Sequence, residues 1–546
     1  MKSEHVISRL WQRDHTLWQP DPTEISNRLG WLDCPERMQG SLPEIRGFID
    51  EARSAGFTNA LLLGMGGSSL APELFRKVFG VNNGYLDLTV LDSIDPDAIR
   101  VTCAKLDLHN TLFIVSSKSG STLETITLFK HFYNQVAKVV GSKRAGGHFV
   151  AITDAESPLA KIAEQVRFRK IFTSDPDIGG RYSALSHFGL VPAALLGMDL
   201  EKLLERAMAM ACRCQADDDN PATRLGAILG ELAIAGRDKL TLIASQAISP
   251  FGTWLEQLVA ESTGKDGRGI LPVIGEALAE PRLYANDRLF VALALAGDTS
   301  FDAKLQALAN VAHPVVEVSL QDSYDLGAQF FLWEMATAIV AWRLNVTPFN
   351  QPDVESAKSL ARTMMMSYLA TGSLPEERPL LRLGEISVYA DEEAFSLNQA
   401  LQTFLNHANP GDENGRGRSY VALQAYIQPS DQANQALQTL RTLIETRFQL
   451  ATTVGYGPRF LHSTGQLHKG DAGHGLFIQL TSDPKQDVSI PDEAGSEESS
   501  MTFGLLQLIQ SLGDRQALIR AKRQVIRFHL GHDVVHGIAK LTEALR

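Results

Sequence analysis

A chain of 546 residues with 44% hydrophobic and 21% charged residues is neither a disordered tract nor a disulfide-stapled miniprotein, and its length asks for two or more packed domains. Its 51 basic and 63 acidic side chains leave a formal charge of −12, a field that repels polyphosphate and argues against nucleic acid as a partner. The apolar runs, such as 289–296, fall short of the ~20 residues a membrane helix needs, and MKSEHVISRLWQRD lacks a signal-peptide core, so a soluble cytoplasmic protein with no membrane partner is expected. Cys34, Cys103, Cys212 and Cys214 form neither a disulfide framework nor a zinc spacing; they read as thiols, and no metal site is expected.

From about residue 57, β-rich runs alternate with helix-length segments, and 58–63, 87–91, 111–116, 147–153 and 169–173 read as strands. That is the βαβ rhythm of a parallel sheet. A helical stretch at 200–234 follows; the rhythm then restarts with strands 239–244, 288–295 and 314–318 and closes in an apolar helix over 326–344. The fold class is therefore α/β, with a helical extension (1–44) and two doubly wound lobes with parallel sheets (45–185 and 190–375). Residues 376–546 read as a separate C-terminal α/β segment. It has strands 386–390, 419–427 and 475–481, helices near 393–406 and 431–448, a Gly-rich turn at 411–417 and a solvated polar loop at 482–500.

Six segments have chemical potential. GMGGSS places Gly64, Gly66, Gly67, Ser68 and Ser69 at a strand-to-helix turn, which is either an anion site built from backbone N–H groups or a tight turn that needs glycine for its own sake. SSKSGSTLET (116–125) puts six hydroxyls, a lysine and a glycine at the next such turn, more donors than a helix cap uses and enough to surround a phosphate. Its neutral donors suit an acidic protein. In DPDIGGRYS either the glycines let backbone approach a ligand, with Arg181 suited to developing negative charge on oxygen, or the segment is a surface turn with an incidental arginine. Glu261 ends an apolar helix in LEQLVAESTGKDGRG, as a general base or as the start of a solvated loop. Asp353, in PFNQPDVESAK, is placed to cap the helix that holds Lys358. RFLHSTGQLHKG sets His462 and His468 around Ser463, Thr464 and Gln466, and histidines in such a setting are more often structural than catalytic.

Together these segments resemble the phosphoglucose isomerase family. GMGGSS resembles its glycine-serine turn, SSKSGSTLET its phosphate loop, DIGGRYS its first signature, ESTGK the segment with its catalytic glutamate, and FNQPDVESAK its second signature, with Asn350 in place of Asp and Asp353 in place of Gly. The family's histidine usually lies between the glutamate and the lysine motifs, where this chain has only His313. His462 carries the matching HSTGQ flank but comes after Lys358. That order resembles the isomerase part of bifunctional transaldolase/phosphoglucose isomerase proteins, although nothing here reads as a transaldolase barrel.

The resemblance implies two sugar-isomerase (SIS) lobes with the site between them, interconversion of D-glucose 6-phosphate and D-fructose 6-phosphate through ring opening and a cis-enediolate, and neither metal nor organic cofactor. It implies catalytic roles for Glu261, His462, Lys358 and Arg181. It implies substrate contacts from Gly67, Ser68, Ser117, Lys118, Ser119, Ser121, Thr122, Gly180, Gln257 and Gln351. The partner is a small-molecule sugar phosphate. A homodimer, with His462 acting within its own chain or across to the next, and a transaldolase domain or partner stay open. Activity on mannose 6-phosphate is an alternative, as is a non-catalytic SIS sugar-phosphate sensor, which has no need of Glu261, Arg181 and Lys358 together.

Overall fold

The computed structural model describes residues 4–216, 218–374 and 377–546. Strands β1 (Asn59–Gly64), β2 (Asp87–Leu91), β3 (Thr111–Ser116), β4 (Phe149–Thr153) and β5 (Lys170–Thr173) form an all-parallel sheet in the order β2-β1-β3-β4-β5. β3 and β4 are buried along their whole length, which is why they read as continuous apolar runs: helices cover both faces. The chain reverses its direction of travel between β1 and β3, whose last residues, Gly64 and Ser116, pair in register. The crevice beyond those carboxyl ends is where a doubly wound sheet binds its ligand.

The second lobe repeats the plan with β6 (Lys239–Ala244), β7 (Leu271–Val273), β8 (Arg288–Leu295) and β9 (Val315–Leu320), parallel in the order β7-β6-β8-β9. The three-residue β7 carries no periodicity to read. The helical stretch at 200–234 is two helices, Leu200–Arg213 and Pro221–Ile234, because Asn220 caps the Thr223 N–H and Pro221 starts a new helix. Leu326–Leu344 is a helix buried on nearly every side, packed against both of these and against the helix Phe251–Thr263.

The C-terminal unit contains β10 (Leu381–Leu383), β11 (Ile386–Tyr389), β12 (Tyr420–Tyr426), β13 (Ala451–Tyr456), β14 (Gly475–Thr481), β15 (Ser489–Ile490), β16 (Met501–Thr502) and β17 (Gln524–His529). Its main sheet runs β10-β11-β17-β14-β12-β13, antiparallel at β10 and β11 and parallel beyond. The parallel part, β13-β12-β14-β17, has the layout of the second lobe, so the unit is a third doubly wound sheet. The helix Asp431–Phe448 lies where expected, and the one near 393–406 is Leu397–Leu405, capped by Ser396.

The polar stretch 482–500 is not simply a solvated loop. β15 and β16 pair as a hairpin, Ile490 is buried, and the stretch straps the first lobe's helix Leu123–Val140. Lys130 donates to the Asp492 carbonyl, Asn134 donates to the Ser496 carbonyl at 2.6 Å, and Gly495 N–H donates back to Asn134 Oδ1 at 2.7 Å. Its charged residues predict solvent, whereas its anchoring is made by backbone groups and by a few scattered apolar side chains, Ile490 among them. Among the described residues no helix is long and apolar enough to cross a membrane.

Candidate active site

The turn after β1 is crossed at van der Waals range by two other segments. A Cβ on Gly67 would collide with the Gly180 carbonyl, and one on Gly66 would lie 2.7 Å from the His462 carbonyl oxygen. Glycine is required there by close approach, and the C-terminal unit thereby sets His462 against the first lobe within a single chain.

Arg181 sits in the single turn Gly180–Tyr182 and is 4% exposed. Its Nη2 donates to the carbonyls of Phe349 at 3.0 Å and Asn350 at 3.1 Å and to Gln351 Oε1 at 3.4 Å, which ties DIGGRYS to FNQPD. Its Nε lies 3.5 Å from Glu261 Oε2, and its buried Nη1 has no protein partner. Glu261 is buried near the end of the helix Phe251–Thr263. One turn earlier, Gln257 Nε2 donates to Glu261 Oε2 at 3.0 Å and to the His462 carbonyl at 2.7 Å. The Glu261 carboxylate and the His462 segment thus meet at one amide, with Arg181 beside the same carboxylate oxygen.

Lys265, four residues past Glu261, had no role in the sequence reading. It is 1% exposed, and its Nζ donates to the Asn350 carbonyl at 2.7 Å, to Asn350 Oδ1 at 3.0 Å and to the Thr347 carbonyl. Burial, and after it the Arg181 charge, push this ammonium well below the ordinary lysine pKa. Its position in ESTGK was the available signal, but a lysine in a Gly-rich turn normally reads as solvated.

Glu124 was also missed, although it lies inside SSKSGSTLET. It is buried in the first turn of Leu123–Val140 and accepts from Gln510 Nε2 at 2.7 Å, with His462 Nε2 3.0 Å away. Burial pushes its carboxyl up, but the charge and hydrogen bond of His462 outweigh this and hold it at about 2.

In the loop itself, Ser117 Oγ and Thr122 Oγ1 share a hydrogen bond at 3.0 Å, and Ser119 Oγ accepts from the Ser121 N–H at 3.3 Å and its hydroxyl at 3.0 Å. Ser119 and Ser121 are exposed at the start of an 18-residue helix. Ser68 is buried in the turn after β1, its carbonyl accepting from Ser116 Oγ. The Lys118 ammonium turns away from the hydroxyls. It pairs with Asp154 at 2.7 Å and donates to the carbonyls of Asp175 and Pro176, leaving its backbone as what it offers the loop.

Lys358 is further out. It lies on the helix Val354–Thr371, and its Nζ is held at 2.7 Å by Glu355 rather than by Glu261, Arg181 or His462. Asp353 stands at the N-cap but makes no side-chain cap; its carboxylate is taken by Gln466. His313 packs edge-on against Phe290 in a buried setting, and His187 begins a buried helix. His468 is buried against Phe477, and burial pushes it well below the ordinary histidine pKa. The four cysteines are free, and among the described residues no cluster of three or more histidine, cysteine or acidic side chains is arranged to hold a metal.

The phosphoglucose isomerase family model matches residues 37–269, a span that holds the glycine turn, the phosphate loop, DIGGRYS and Glu261 but not Lys358 or His462. The chain is 28% identical over 353 residues to the glucose-6-phosphate isomerase of Methanocaldococcus jannaschii, covering 57% of this chain and 86% of that one. It is 30% identical over 359 residues to the glucose-6-phosphate isomerase of Prochlorococcus marinus subsp. pastoris, covering 58% of this chain and 68% of that one. Among solved structures, a hypothetical protein from Thermus thermophilus superposes with a TM-score of 0.59 at 26% identity over 66% of this chain and 94% of its own. A glucose-6-phosphate isomerase from Chlamydia trachomatis shares the fold at a TM-score of 0.53, with 20% identity over 67% of this chain and 78% of its own. With the signature segments converging on one crevice and these relatives on either side of it, the chain belongs to the phosphoglucose isomerase family.

Proposed function

We propose that the chain interconverts D-glucose 6-phosphate and D-fructose 6-phosphate, and that it does so with its own side chains alone. The observation that carries this is the buried pair Arg181–Glu261 at 3.5 Å, with Gln257 joining the same carboxylate to the His462 segment. A carboxylate base beside a fixed cation is what abstraction of a proton next to a carbonyl requires.

The phosphate is held by the 117–122 hydroxyls and backbone at the start of Leu123–Val140, remote from the reacting carbons, so that its binding energy orients them. His462 delivers a proton to the ring oxygen while the C1 hydroxyl loses one, a transfer in which Lys358 takes part after leaving Glu355. Glu261 then removes the C2 proton. The electrons of that C–H bond form C1=C2, and O1 takes up negative charge, which Arg181 stabilises; its unpartnered Nη1 is the donor in reserve. The protonated Glu261 returns its proton to C1 while the O2 proton passes to O1, so that O2 becomes the ketone oxygen and O1 the hydroxyl of the product. The product is an isomer, so no oxidant, reductant or co-substrate enters the balance.

The test is a coupled assay for fructose 6-phosphate formation from glucose 6-phosphate, run with excess EDTA. Turnover that persists with the chelator supports the reading. Binding of sugar phosphate without turnover would overturn it in favour of a sensor.

A further inference from the structure

Gln466 is 1% exposed, touches no residue assigned to the chemistry, and yet has both ends of its amide engaged. Its Oε1 accepts from the backbone N–H of Asp353 at 2.9 Å and of Val354 at 3.2 Å. Its Nε2 donates to the Gly264 carbonyl at 3.0 Å and to Asp353 Oδ2. One side chain therefore joins three segments: the start of the Lys358 helix, the end of the Glu261 helix, and its own segment, four residues beyond His462.

The chemistry of each contact explains the residue type. The first N–H groups of any helix lack an internal partner, and Asp353, in the capping position, supplies none for Val354–Thr371. The amide oxygen of Gln466 fills that role from another part of the chain. Gly264 is the C-cap of the Glu261 helix, so its carbonyl is a helix-end acceptor in need of a donor, and Nε2 provides it. Glutamate in this place lacks the donor and faces the Asp353 carboxylate; methionine has neither function. The helix Gly465–Gly470 reinforces the clamp at its far end, where the Gly470 carbonyl accepts from the Gly267 N–H at 2.9 Å. A Cβ on Gly264 would run into Leu467, so the segments also meet at backbone range.

We infer that Gln466 is a positioning residue for the isomerisation: it fixes the Lys358 helix and the Glu261 turn against the His462 segment, so that all three groups keep one geometry. This rests on the isomerase reading above. Displacement of a reacting group by about 1 Å costs up to about 10²-fold in rate, which sets the scale of the effect. The phosphate loop lies on other elements and makes none of these bonds, so phosphate binding is independent of the clamp.

Gln466→Met and Gln466→Glu in the full chain test this. For Gln466→Met, kcat on glucose 6-phosphate should fall between about tenfold and about 10²-fold, while the affinity for inorganic phosphate, measured by calorimetry, stays at the wild-type value. In Gln466→Glu the acceptor survives but the donor requires a proton shared with Asp353. Its activity relative to wild type should therefore recover as pH falls, a profile that loss of packing does not produce. Amide hydrogen exchange at Asp353 and Val354 should accelerate in Gln466→Met. Wild-type kcat in Gln466→Met, a parallel loss of phosphate affinity, or a pH-independent ratio in Gln466→Glu overturns the inference. If the wild-type chain does not turn over glucose 6-phosphate, the isomerase reading fails, and the exchange rates at Asp353 and Val354 alone decide whether the clamp exists.

Discussion

Glu124 Oε1 and His462 Nε2 lie 3.0 Å apart across 338 positions of sequence, joining the helix that follows the phosphate loop to the C-terminal unit. The carboxylate holds the imidazole in one orientation, with Nε2 committed to Glu124. Glu124→Gln and His462→Ala should both slow turnover of the cyclic sugar, by about 10²-fold for His462→Ala. Both should spare C2 proton exchange on substrate that is already open-chain, followed by NMR in D₂O. Equal loss of turnover and exchange would place the histidine outside ring opening.

The same pair has a pH signature in stability. The Glu124 carboxyl falls from an ordinary 4.5 to about 2 in the folded chain. A carboxyl depressed in this way stabilises the fold above its unfolded pKa and loses that contribution as pH falls from about 4.5 toward 2. At 1.36 kcal/mol per unit it is worth on the order of 3 kcal/mol. Acid titrations of stability for wild type and Glu124→Gln should therefore draw together from about pH 4.5 downward and converge as pH approaches 2. Parallel curves across that window would show that the carboxylate contributes nothing there.

Glu261→Gln preserves shape and removes the proposed base. Its kcat should drop at least ~10²-fold with substrate affinity retained, as expected for loss of a positioned general base. Wild-type exchange of the C2 proton in this variant would remove Glu261 from the role.

Ser119→Ala combined with Thr122→Ala should raise KM for glucose 6-phosphate far more than it lowers kcat. Each lost hydrogen bond to a charged oxygen is worth roughly 1.5–3 kcal/mol. These hydroxyls also bond to Ser121 and Ser117, so circular dichroism is needed to show that the loop's helix persists. Unchanged affinity for inorganic phosphate in the double variant would defeat the assignment.

Arg459 joins the C-terminal unit to the first lobe, pairing with Glu73 and, at 3.0 Å, with Asp92. Burial raises the Glu73 carboxyl, but Arg459 and then Lys77 hold it at about 2. Arg459→Met leaves both partly buried carboxylates without this partner, a loss of roughly 1.5–3 kcal/mol for a charged hydrogen bond removed. Denaturant melts should show the deficit at pH 7 and a smaller one near pH 4, where protonation relieves the stranded charges. An equal deficit at both pH values would mean that Arg459 acts by packing.

The strands with uninterrupted apolar runs, such as β3 and β4, were legible because burial on both faces leaves a continuous hydrophobic signature. β13, with its threonines and Gly455, and β17, with Gln524, Arg527 and His529 among its apolar residues, were not, since the sheet supplies their pairing rather than their own composition. The chemical segments were legible one by one, as glycines and donors at strand ends. Their cross-links were not. Glu124 reads as a helix residue until His462 arrives from the far end of the chain, Lys265 reads as solvated until Asn350 closes over it, and Asp353 reads as a cap that Gln466 in fact provides.

That the site is closed by a third sheet has a consequence for the order in which the protein acquires its abilities. Gln257 and the His462 carbonyl it holds are 205 positions apart. At the usual ~5–20 residues per second, synthesis needs roughly 10–40 s to cover that interval. During it the chain already has its phosphate loop, Arg181 and Glu261, and lacks both the histidine and the amide that fastens the lysine helix. On the roles proposed above, a ribosome-bound chain would gain the means to grip a sugar phosphate well before the means to open its ring, and a cyclic sugar met in that interval would be released unchanged.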